Sequence, residues 1–168
     1  MPVTYEPIAT NTLGSATASV TFSSIPSTYT DLVIVCAVFN SADGAATEFQ
    51  FNSDTGTNYS NTFLEGSGTT ATSSRESNQS SIQMTFNVGG NSTNPCITVA
   101  NIQNYSNTTT NKTLIGRWNS ASGGTYPGTA ATVGLWRNTS AITSVLIRTG
   151  SGNFNTGSTF TLYGIKAA

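Results

Sequence analysis

Histidine is missing from this chain, and charge is scarce: six Lys and Arg stand against seven Asp and Glu in 168 residues. Without histidine no Ser-His or Cys-His nucleophile can be assembled, and the commonest general acid and base is gone. Two distant cysteines, Cys36 and Cys96, cannot supply the four ligands of a zinc site. They admit one intramolecular disulfide, but each sits in or beside an apolar strand, the usual setting of a reduced, buried thiol. The near-balanced charge leaves no basic stripe for phosphates and no polybasic anchor for lipid headgroups, so neither nucleic acid nor a membrane is an expected partner. The longest apolar run, LVIVCAVF at 32–39, is far below the roughly 20 residues of a membrane span. The opening MPVTYEPIATNTL has neither the positive nor the apolar region of a signal peptide, so the chain is expected to be made and kept in a cytosol, or released without secretion.

Carboxylates remain as raw material for a glycosidase: Glu6, Asp31, Asp43, Glu48, Asp54, Glu65 and Glu76. Nothing in their spacing pairs them. Glu48 alternates with Phe49 and Phe51 and reads as solvent-facing, while Asp43 and Asp54 lie in the turn-like segments NSADGA and NSDTGTN. Asn52, Asp54 and Asn58 are evenly spaced like the oxygens of a calcium loop. One carboxylate without a bidentate glutamate makes a weak site, and a hairpin turn is the better reading. Sequons at Asn58, Asn107, Asn111 and Asn138 arise by chance in such a composition. No catalysis, metal or cofactor is expected.

Roughly 40% of the residues are Ser, Thr or Asn, and set into them are short runs of Val, Ile, Phe and Thr bounded by Gly, Asn, Ser and Asp. No stretch keeps a helical period. Strands are predicted at 18–23, 32–39, 47–52, 59–65, 81–88, 97–102, 113–119, 132–138, 142–148 and 159–165. About ten strands in one 168-residue domain predict an all-β, two-sheet antiparallel sandwich of jelly-roll type.

Alternation assigns faces. Ile82, Met84, Phe86 and Val88 form one inward set, as do Val20 with Phe22 and Phe49 with Phe51. The runs 32–39 and 142–147 are apolar on both faces, which calls for a second covering layer or a partner subunit. In TVGLWRN, Val133 and Leu135 share one face and Gly134 and Trp136 the other. If the first pair points inward, Trp136 is an outward interface anchor; a second inward face is equally compatible with the pattern. Trp118 pairs with Leu114 as a core residue. Residues 66–81, GSGTTATSSRESNQSS, read as a polar low-complexity loop in which Arg75 is either solvated or pins the loop to backbone carbonyls or to a neighbouring subunit. Residues 1–12, with Tyr5, Pro7 and Ile8, show no alternation and read as an extended arm ahead of a single sandwich domain at 13–168, an arm that needs something to dock on.

Three segments carry a resemblance: IATNTLGSATASVTFSSIPSTYTDLVIVC at 8–36, FNSDTGTNYSNTFLEGSG through TSSRESNQSSI at 51–82, and STFTLYGIKAA at 158–168. Together they resemble a family of bacteriophage virion proteins of marine and freshwater phages, cyanophages among them, which occur as small standalone proteins and as distal domains of tail-fibre-like chains. The stretch 95–157 matches only loosely. The resemblance implies a jelly-roll-like sandwich that assembles as a homotrimer on the outer surface of the virion. One role is capsid decoration or cement, with the major capsid protein as partner; the alternative is a fibre tip that recognises a host surface polysaccharide. Length favours decoration, because the β pattern starts too early to leave room for a stalk. A tip would present exposed rings to sugars, for which Tyr59, Tyr105, Tyr126 and Trp136 are the candidates. Assembly contacts are expected from the arm (Tyr5, Pro7, Ile8, Leu13), from Arg75 and Trp136, and from the two-sided strands.

Overall fold

In a computed structural model, which describes residues 4–84, 91–120 and 128–166, the chain forms twelve strands and no helix among the described residues. They are β1 (Tyr5–Thr12), β2 (Ser19–Phe22), β3 (Asp31–Val38), β4 (Thr47–Phe51), β5 (Tyr59–Gly66), β6 (Ala71–Gln79), β7 (Ile82–Gln83), β8 (Cys96–Gln103), β9 (Lys112–Ser120), β10 (Gly128–Trp136), β11 (Val145–Thr149) and β12 (Thr159–Ile165). Every pairing is antiparallel. Eight strands form one sheet in the order β1-β12-β3-β8-β9-β10-β5-β6, and four form the second in the order β2-β11-β4-β7. The chain is thus the two-sheet antiparallel sandwich its strand pattern predicts, with one sheet twice as wide as the other.

The core lies between the sheets. From the large sheet come Leu32, Ile34, Cys36 and Val38 on β3, Ala100 and Ile102 on β8, and Leu114 and Trp118 on β9; from the small sheet come Val20, Phe22, Phe49, Phe51, Val145 and Ile147. All are nearly water-free. Ile82 and Met84 cross over β10 and β9 at places where those strands carry glycine. A methyl group on Gly134 would sit 2.5 Å from Ile82 Cγ2, and one on Gly116 would sit 2.0 Å from Met84 Cε. Phe86 and Val88, assigned to the same inward set, lie outside the described residues. Both cysteines are buried and free, and burial raises the Cys36 thiol well above its ordinary pKa.

The two strands beyond the ten predicted are both edges of the large sheet. Residues 5–12 are extended and dock within the chain, as a strand of the sandwich itself: β1 pairs along its length with β12, with a bulge between Pro7 and Ala9. Glu6 clamps it further, receiving Lys166 Nζ at 2.7 Å and the Tyr29 hydroxyl at 3.2 Å. Residues 71–79 are not a loop but β6, paired with β5 from Gly66↔Ala71 to Tyr59↔Gln79. Its outer edge has no strand partner among the described residues.

Candidate functional site

Trp136 points inward, opposite to the interface reading. It is 1% exposed and stacks on Tyr59 at a ring separation of 6.2 Å, with Phe51 edge-on at 5.5 Å. Its indole N–H donates to Asp54 Oδ2 at 2.8 Å; Asn58 Nδ2 donates to the same oxygen at 2.9 Å, and the Gly56 N–H to Oδ1 at 2.9 Å. Partial burial alone would raise the Asp54 carboxyl, but these donors outweigh it and hold the pKa below its ordinary value. A carboxylate met by N–H donors on both oxygens is arranged as a structural acceptor, not as a cation ligand. Tyr59, fully buried, donates to the Asp54 carbonyl at 3.1 Å and accepts the Phe51 N–H at 3.0 Å; burial pushes its pKa up to about 12. The NSDTGTN turn therefore closes the end of the core.

Tyr59, Tyr105 and Trp136, three of the four rings offered to sugars, are core residues at 0–1% exposure; Tyr126 lies outside the described residues. Leu13, at 8%, is also core, and Ile8 packs partly against it. Tyr5, Pro7 and Arg75 are exposed. Tyr5 and Arg75 sit at opposite edges of one surface, the face of the large sheet turned away from the small one.

Register shows what that surface is made of. Antiparallel partners share a face, so Val33↔Asn101↔Ile115↔Val133↔Thr62↔Arg75 forms one row across β3, β8, β9, β10, β5 and β6. The next row runs Val35↔Val99↔Arg117↔Ala131↔Leu64↔Ser73. No described element packs over them. Leu64 is 61% exposed, Val133 50% and Ile115 46%. Two depressions of about 600 and 580 Å³ lie on this face, and Arg117 lines both. The two-sided pattern of 32–39 is thereby explained: its inner residues fill the core, and of its outer ones Val33 is itself only 7% exposed while the part-buried Val35 borders an apolar surface that no other described part of the chain covers.

The opposite surface of the molecule differs in kind. On the outer side of the small sheet the register rows are Thr21↔Leu146↔Gln50 and Arg148↔Glu48↔Gln83, so the part-buried Leu146 lies among polar residues; Glu48 holds Arg148 at 2.7 Å and accepts the Ser81 hydroxyl at 2.9 Å. Sequence reasoning found the apolar strands but not their common face, because the face is defined by register across six strands. Among known proteins, the chain matches no family model, no curated protein and no solved structure.

Proposed function

We propose that this chain is a structural virion protein of a bacteriophage, a capsid decoration or cement protein that binds the outer capsid surface as a homotrimer. The observation that carries the reading is the uncovered apolar face of the eight-stranded sheet. The accessible surface of 7846 Å² matches the roughly 7,850 Å² that the usual scaling gives a monomer of this mass. Seven interstrand spacings of about 4.8 Å make the sheet roughly 34 Å wide, and with strands roughly 20 Å long its projected area approaches the ~800 Å² one partner gives a standard interface. Low surface charge suits contacts repeated at many equivalent sites with little salt dependence.

The alternative, a fibre tip that binds host polysaccharide, loses Tyr59, Tyr105 and Trp136 to the core. It keeps the Tyr5–Tyr163 pair, edge to face at 6.5 Å, as a sugar platform. Virions labelled with gold-conjugated antibody to this chain decide between the two: label over the shell is expected, and label confined to tail tips overturns decoration. Light scattering on the purified protein should give the mass of three 17.4 kDa chains.

A further inference from the structure

We infer that the partner seated on the outer face of the large sheet is an acidic protein surface, and not a second copy of this chain. The inference rests on the assembly reading above and gives that face to the shell contact, leaving the trimer to other surfaces.

The argument comes from where the six cations go. Lys112 is buried and donates to the Thr110 and Thr139 carbonyls at 2.7 and 3.0 Å. Arg137 is held by Ser60, the Thr57 carbonyl and Asn78. Arg148 pairs with Glu48 and Lys166 with Glu6. The remaining two, Arg75 and Arg117, make no hydrogen bond or ion pair among the described residues, and both lie on the apolar face. Arg117 occupies the middle of β9, between Ile115 and Asn119 along the strand and between Val99 and Ala131 across it. Two acids border the face: Asp31, which accepts the Asn104 N–H at 2.7 Å, and Glu65, which lines one of the depressions Arg117 lines.

A guanidinium covered by purely apolar surface loses its water without compensation, so a stable cover must bring carboxylates to it. Two copies packed face to face about a two-fold axis would place four arginines in one interface, with Asp31 and Glu65 only at its margins. A protein surface bearing both apolar and acidic side chains satisfies both features of the face. Three strand spacings and two residues separate Arg117 from Arg75, which sets the two carboxylate positions roughly 16 Å apart.

A random copolymer of glutamate and tyrosine serves as the probe, with binding followed by fluorescence anisotropy, alginate as an anionic polysaccharide for comparison, and circular dichroism to confirm that each variant is folded. The copolymer should bind wild type in a salt-sensitive way. The Arg75→Gln/Arg117→Gln double variant should bind at least tenfold more weakly, and Arg148→Gln on the opposite sheet should bind as wild type does. Equal loss in all variants, or none, overturns the inference. Alginate bound as tightly, with the same arginine dependence, replaces the protein partner with an acidic glycan. A wild-type oligomer that Arg117→Glu dissociates shows that a second copy covers the face, which also overturns it. If virion shells bind wild type and the double variant alike, the carboxylate contact falls while decoration stands; if shells bind neither and the copolymer result holds, decoration falls alone.

Discussion

At the scale of single residues, the Asp54 cluster holds much of one end of the core. Trp136→Phe keeps the ring packing but removes the indole donor, and an unmade hydrogen bond to a charged group costs about 1–3 kcal/mol. Urea unfolding should show a loss of that size. Because the folded-state pKa of Asp54 lies below its ordinary value, the unfolded chain takes up the proton first as pH falls. The stabilisation is complete above about pH 5 and fades as pH drops through the folded-state pKa. Asp54→Asn should be less stable at neutral pH and should lose less on acidification than wild type, as unfolding midpoints measured between pH 7 and pH 2 would show. Gly134 is a second such point. Gly134→Ala drives a methyl into Ile82 and should cost roughly 1–3 kcal/mol, whereas Gly116→Ala meets the flexible end of Met84 and should cost less. Adding Ile82→Ala to Gly134→Ala removes all three clashing carbons, so the double variant should lose clearly less stability than the sum of the single changes. Strict additivity in a double-mutant cycle would mean that the glycine is not there to admit Ile82.

At the scale of strands, ten of twelve were legible because each has at least one face in the core, and a buried face writes a period of two into the sequence. The two that were not legible are the edges. β6 reads ATSSRESNQ because neither of its faces is deeply buried, so hydrogen bonds to β5 hold it and composition does not reveal them. In β1 the bulge at Pro7 and Ala9 breaks the alternation, and only Ile8 and Ala9 reach the core. Proline and a bulge also blunt that edge against further pairing, a protection β6 lacks. Trp136 was ambiguous for a different reason: β10 carries apolar side chains on both faces, Ala130 and Trp136 on one and Ala131, Val133 and Leu135 on the other, and alternation cannot say which of them is the core. The strand assignment changes what truncation would mean. Removing residues 1–12 takes away a paired strand and the Glu6–Lys166 contact. The truncated protein should have a lower denaturation midpoint, with faster amide exchange along Thr159–Ile165. Unchanged stability and exchange would return residues 1–12 to the status of an arm.

At the scale of the molecule, the decisive property is the contrast between its two outer faces. One carries Val35, Ile115, Val133 and Leu64 with two unpartnered arginines; the other, Leu146 apart, is polar and internally paired through Glu48 and Arg148. Folding alone does not call for such an asymmetry, since a solvated sandwich face can be polar at no cost to the core. Changing the apolar face should therefore separate stability from assembly. Ile115 and Val133 are cross-strand partners, so Ile115→Glu with Val133→Lys places opposite charges side by side on positions already about half exposed. The isolated double variant should unfold within about 1 kcal/mol of wild type. Its binding to virion shells in a co-sedimentation assay should fall at least tenfold, while Thr21→Lys on the small sheet should leave binding unchanged. Equal loss in both variants would mean that the shell contact does not choose between the faces, and full retention by the double variant would move it off the large sheet altogether.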